Sequence, residues 1–278
     1  MSSIYRFTSF QSLVDILQTG ELTLVSPELW KDPYEGYIFT MAKSEEWQEK
    51  ILKELQKKCT PELSWAILAS LSIHNFAYFC QCWTKNPESD ALWRIYSHDN
   101  TSIRIEVERE DFLKLEGVHV ADVEYFSKID VANEIQSIIE SDGRSMSTFK
   151  ALLSKRDAFE HEQEVRIIKS NFWNLINNQT QKPLSSLEIE QHKVWLSALV
   201  KSEQITPVEM NIALKSFATI HKPPDKVIRI SFNGTPNFIK SVMLNPLSPR
   251  WLDETMSEFC RLNKINYLWK STLYEFSI

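Results

Sequence analysis

The sequence predicts one α+β domain built on a mixed or antiparallel, split β-sheet with surrounding helices. Three observations predict it. Strand-like and helix-like hydrophobic patterns intermingle without the strict alternation of a parallel fold. No internal repeat or low-complexity run divides the 278 residues. No Pro/Gly/Ser linker is long enough to separate two units, so residues 1–278 read as a single domain. Its core covers about residues 4–250, and a C-terminal helix and strand follow over 250–278.

The elements follow in order. Ile4 to Thr8 alternates apolar and polar residues, as a short strand does. Thr8 or Ser9 can cap a helix with apolar positions at Phe10, Leu13, Val14, Ile16 and Leu17, ended by Gly20. Leu22 to Val25 is a second strand, and SPELWKDPYEGY, with two prolines, is a loop. Ser44 to Cys59 is helical, with Trp47, Ile51 and Leu55 four residues apart. Thr60-Pro61 starts another helix, which ends near His74. Ala77 to Thr84 is a strand, and Asn86-Pro87-Glu88-Ser89 turns into a short helix carrying Trp93 and Tyr96.

Ser102 to Val107 and Val118 to Tyr125 read as strands, and 127–139 and 147–154 as helices. Glu162 to Lys169 is a strand, and 185–220 is largely helical. Val227 to Phe232 and Phe238 to Leu244 are strands. Pro249 opens a helix to about Leu262, and 265–276 is a strand or extended tail.

Composition removes several function classes. Five glycines leave neither GxGxxG nor GxxxxGK[ST], so a nucleotide site must be built from side chains and ordinary backbone. A net charge of −6 argues against non-specific binding of long nucleic acids. No stretch approaches 18 apolar residues, and the first residues lack a signal-peptide core, so the expectation is a cytoplasmic chain with no membrane partner. The four cysteines contain no CxxC pair and read as reduced, buried thiols. The six histidines show no ligand spacing, and no metal site is expected.

Three constellations could carry chemistry. Arg6 lies between Tyr5 and Phe7 on a strand, where aromatic neighbours hold a guanidinium in the plane that suits bidentate phosphate recognition. Thr84 ends a strand in CQCWTKNPESDALWRIY, and Trp93 and Tyr96 share a helix face three residues on from each other. FEHEQEVR places Glu160, Glu162, Glu164 and Arg166 on alternate positions, hence on one face of a strand. Each constellation also has a plain structural reading: a surface ion pair for Arg6, a core aromatic pair for Trp93 and Tyr96, and a solvated strand entry for the glutamates.

Three segments, YRFTSFQSLVDILQTGELTLVSPELWKDPYE, CWTKNPESDALWRIY and FEHEQEVRII, with the weaker FIKSVMLNPLSP, resemble the bacterial domain-of-unknown-function family 2971. Lys31-Asp32-Pro33 stands where that family has Asn-Asp-Pro. More distantly, the opening strand, helix and Gly-Glu-Leu look like the first unit of the ADP-ribosyltransferase fold. EQEVRI is similar to the Glu-x-Glu-Val stretch of arginine-modifying transferases. Cys82-Trp83-Thr84 matches the Ser-Thr-Ser of that class only loosely.

The resemblance implies a bacterial, NAD-using transferase, with roles in defence or as a toxin among those such folds serve. By it, Arg6 holds the NAD phosphates or ribose, with Thr84 from the middle strand. Glu164 accepts from the nicotinamide ribose and stabilises the oxocarbenium-like centre, and Glu162 orients the nucleophile. Trp93 or Tyr96 stacks on a ring. The acceptor, whether protein, nucleic acid or small molecule, and the oligomeric state stay open. Two alternatives stand beside it. One is a non-enzymatic binding or regulatory module whose arginine and glutamates form a structural ion network. The other is a metal-dependent nuclease using Glu164 with Asp122 or Asp130.

Overall fold

The computed structural model describes residues 2–32, 34–36, 44–57, 64, 68, 78–97, 99–127, 152–170, 226–232 and 237–275. Of the helix expected from Thr60 only residues 64 and 68 are described, both helical, and of that over 127–139 only residue 127; the helix expected over 185–220 lies outside these residues. So do His74, Cys59 and Asp130.

Strand β1 (Ser3–Ser9) runs into helix α1 (Phe10–Thr19) and strand β2 (Glu21–Val25). The Ser9 hydroxyl accepts from the Ser12 N–H at 3.2 Å and caps the helix. Gly20 closes it in the left-handed region, at φ 67°, where a side chain would be strained. Next come α2 (Glu45–Gln56), β3 (Tyr78–Thr84), α3 (Asp90–Tyr96) and β4 (Ser102–Glu108). They are followed by α4 (Arg109–Leu113), β5 (Val118–Asp122), β6 (Glu124–Phe126), β7 (Ser154–Arg156) and β8 (Glu164–Ser170). The last elements are β9 (Val227–Ser231), β10 (Ser241–Leu244), α5 (Arg250–Leu262) and β11 (Asn266–Lys270).

Nine of the described strands form one mixed sheet, and β6 and β7 form a separate parallel pair. The α+β class therefore holds. Among the described residues no helix is long and apolar enough to cross a membrane.

Three expected elements differ. The strand expected over 118–125 breaks at Val123, whose N–H leaves β5 and donates to Glu164 O at 3.0 Å. Ser154, expected to end a helix, instead opens β7. The strand expected from Glu162 begins at Glu164, because Asp157–Glu162 is a 3-10 turn closed by Gln163 at φ 43°. Glu160 and Glu162 are thus not on the strand face with Glu164 and Arg166.

The pairing of β3 positions the site. Along one edge it pairs fully with β8, from Tyr78↔Ser170 to Thr84↔Glu164. Along the other it meets β1 only at Tyr5↔Thr84 and β2 only at Val25↔Cys80. The sheet is split there. Gln81 bridges the gap, its Nε2 donating to Thr23 O at 2.9 Å while its Oε1 accepts from Trp83 Nε1 at 2.8 Å. A buried carbonyl without a strand partner is satisfied in this way. Facing residues of antiparallel strands share a side. Trp83, Val165 and Ile167 enter the main core with Ile4, Leu13 and Ile105, and Cys82, Thr84, Glu164 and Arg166 take the opposite side.

Candidate functional site at the fork of the sheet

Where β1 and β3 part, a cavity of ≈ 380 Å³ opens, within the range of ligand sites. Tyr5, Arg6, Thr8 and Ser9 of β1 form one wall, and Thr23, Val25 and Trp30 another. Cys80 and Cys82 lie on the floor, Tyr96 comes from α3, and Glu162 and Glu164 close one end. Tyr5, Thr84 and Glu164 stand in line across three strands. Two inter-strand spacings place the backbones of β1 and β8 about 10 Å apart at this point, within reach of one dinucleotide.

Arg6 follows the last β1–β3 pair. Its Nη1 is sealed from solvent without a hydrogen-bond partner. Arg104 Nε, Glu108 Oε2 and Ser248 Oγ are also unpartnered, but of these four residues only Arg6 lines the cavity. Burial lowers the guanidinium pKa, opposed by Cys82 and Tyr96. A buried, unsatisfied cation is costly unless an anion completes it.

The opposite end is an ion lattice. Lys155 Nζ lies 2.8 Å from Glu35, 2.7 Å from Glu162 and 2.9 Å from Glu164. Arg166, fully buried, reaches Glu164 Oε1 at 2.6 Å and Oε2 at 3.2 Å, and Glu35 at 3.3 Å. Its Nη1 donates to Leu152 O, and its guanidinium lies 4.2 Å from the centre of the Trp30 ring. Burial pushes Glu164 up, but the charge and hydrogen bonds of Arg166, then Lys155 and the Cys82 thiol, outweigh it and hold the carboxyl at about 2. Burial works against the Lys155 ammonium as well, yet Glu164, Glu35 and Glu162 together raise its pKa.

The two glutamates differ in what remains free. Glu164 accepts from Arg166 Nε, Arg166 Nη2 and Lys155, so three charged donors take up most of the carboxylate's lone-pair sites. Glu162 gives one oxygen, Oε2, to Lys155. Its Oε1 has no donor among the described residues, and the residue lines the cavity. The Thr84 hydroxyl donates to Glu162 O at 2.5 Å and accepts from Asn86 N at 2.9 Å, so it fixes the turn that carries Glu162.

Five of the six residues to which the resemblance gives roles therefore line one cavity: Arg6, Thr84, Tyr96, Glu162 and Glu164. Trp93 does not. It is 2% exposed, its ring meets Phe7 edge-on at 4.6 Å, and its Nε1 donates to Glu88 at 3.0 Å. Tyr96, 45% exposed, stands at the rim instead.

Asp122 is committed to Lys85 and Arg109 outside the cavity. Among the described residues no group of three or more His, Cys, Asp or Glu could hold a metal ion. Trp30, Glu35 and Lys155 were not marked by sequence reasoning. Trp30 and Glu35 sit in the SPELWKDPYEGY segment, read only as a loop and as part of the family resemblance. Lys155 carried no signal.

Comparison of the chain with protein-family models, curated proteins and solved structures returns no match. The functional reading is therefore built on the cavity.

Proposed function

We propose that the chain is an ADP-ribosyltransferase-like enzyme of the family-2971 type, which cleaves NAD at the nicotinamide–ribose bond and passes ADP-ribose to an acceptor or to water. One observation carries this reading: Arg6, whose buried Nη1 has no partner, and Glu162, whose Oε1 meets no donor among the described residues, line the same cavity. The first suits a pyrophosphate. The second suits the positive charge that develops on a ribose as its glycosidic bond breaks.

In the reaction the C1′–N bond breaks and its electron pair leaves with neutral nicotinamide. A lone pair of the acceptor or of water forms the new bond to C1′, and its proton passes to Glu162 or to solvent. The ribose contact expected for Glu164 moves in this reading to Glu162, because Arg166 and Lys155 already engage both oxygens of Glu164. Glu164 keeps Lys155 and Arg166 in place, and Thr84 holds the turn.

The commitment of Glu164 to Arg166 and Lys155 also favours a second reading, a non-enzymatic module stabilised by the ion lattice. Incubation with NAD labelled in the nicotinamide ring separates them. The enzyme reading expects labelled nicotinamide release by the wild type, and a loss of about 100-fold in Glu162→Gln with unchanged melting temperature. Wild-type protein that neither releases nicotinamide nor binds NAD overturns it.

A further inference from the structure

Trp30 is the cavity wall with no role assigned so far. It follows the 3-10 turn Pro27–Leu29, and its N–H donates to Pro27 O at 3.0 Å. Two residues on, Asp32 receives Arg156 Nε at 3.2 Å and Nη2 at 3.1 Å. Glu35 then joins Lys155 and Arg166. The loop is thus pinned on both sides of the indole.

Arg166 has no exposed surface and does not line the cavity, whereas Trp30, 4.2 Å from it, does. The guanidinium occupies one face of the indole, and Trp30 also lines the cavity. Val25, Cys80, Cys82 and Leu92 make the neighbouring surface apolar, and Tyr96 supplies a second aromatic group from another element. The charged lining residues are Arg6 on β1 and, at the other end, Glu162 and Glu164. An aromatic, apolar middle between a cation and a carboxylate matches a heteroaromatic base joined to a ribose phosphate.

We propose that Trp30 is the stacking wall for the base of a nucleotide, with Arg166 behind it as the group that fixes the ring. The proposal rests on the reading of the cavity as a nucleotide site and adds the residue that selects for a base. In it Arg166 is a positioning residue, and Trp30 touches the ligand.

The test is calorimetric binding of NAD, nicotinamide mononucleotide, AMP and ribose 5-phosphate to the full chain and to Trp30→Phe and Trp30→Leu, beside labelled-NAD turnover. In the wild type a base-bearing probe is expected to bind at least about tenfold more tightly than ribose 5-phosphate. Trp30→Leu is expected to remove that advantage while leaving ribose 5-phosphate unchanged, and Trp30→Phe to restore most of it. Base-bearing probes that bind Trp30→Leu as well as they bind the wild type overturn the wall and leave the proposed activity standing. Binding of AMP or nicotinamide mononucleotide that depends on Trp30, without NAD turnover, overturns the activity and keeps the wall. No binding of any base-bearing probe to the wild type overturns both. Should Trp30→Leu melt early, Trp30→Phe decides: loss of base selectivity in that ring-conserving variant also counts against a stacking role.

Discussion

Arg166 grips Glu164 from two positions along the same strand, Nε to Oε1 at 2.6 Å and Nη2 to Oε2 at 3.2 Å. Alternate strand residues share a face, so the pair is made by β8 alone, and both members are buried. Removing one partner of such a pair leaves an uncompensated charge in the interior. Arg166→Met is expected to lower stability by about 3–5 kcal/mol, read from urea unfolding. The double variant Arg166→Met with Glu164→Leu is expected to lose less than the two single changes added together. Additive losses would show that the pair is not coupled.

Stability should fall in acid through the same carboxyl. Glu164 titrates at about 2 in the folded chain, against about 4.3 in an unfolded one. Its folded pKa is depressed, so its contribution is present above the unfolded value and is lost as pH falls toward about 2. Between pH 7 and pH 3 this group alone should account for about 2 kcal/mol of lost stability. Urea titrations at the two pH values, compared with Glu164→Gln, measure it: the variant should lose less than the wild type by about that amount. Equal losses would assign acid sensitivity elsewhere, for instance to Asp122 or Glu106, which are also held below the usual carboxylate range.

Thr84 is expected to act through Glu162. Its hydroxyl donates to the Glu162 carbonyl and accepts from the Asn86 N–H. Thr84→Val removes both bonds without changing volume much and strands a buried carbonyl, at a cost of about 1–3 kcal/mol. Thr84→Ser keeps the hydroxyl and should recover most of that, as thermal unfolding of the three proteins would show. A Thr84→Val protein as stable as the wild type would mean that the turn is held by Gln163 and its neighbours alone.

Much of this arrangement was legible because it follows local chemistry. Ser9 and Gly20 bracket α1 as capping residues do. Arg6, Thr84 and Glu164 mark three neighbouring strands, and Arg6 stands one residue past the Tyr5–Thr84–Glu164 line across the sheet. The turn that carries Glu162 was not legible, because Glu160, Glu162, Glu164 and Arg166 alternate as a strand does. The break depends on Gln163 in the left-handed region, which favours Gly, Asn or Asp. Trp93 and Tyr96 looked equivalent on one helix, yet the packing of Phe7 takes Trp93 into the interior. Lys155 and Glu35 meet across 120 residues of chain. Nothing local to either residue encodes that contact, since the charge lattice forms only when the sheet brings β7, β8 and the loop after β2 together.

The cysteines give a test of the cavity floor. Cys82 lines the cavity beside Cys80, a position that would suit a reactive thiol. Its surroundings do the opposite: burial, then the negative charge of Glu164, push the Cys82 thiol well above its ordinary value, and burial takes Cys80 to about 12. The thiolate is the nucleophile. At pH 8 a thiol of pKa about 12 is ionised about a thousandfold less than one near 8.5. Native protein treated with iodoacetamide at pH 8 should therefore leave both residues unmodified under conditions that alkylate the urea-unfolded chain fully, as peptide mass mapping would show. Rapid alkylation of Cys82 in the native protein would mean that neither burial nor the charge of Glu164 suppresses its thiolate, and that the cavity floor is open to reagents.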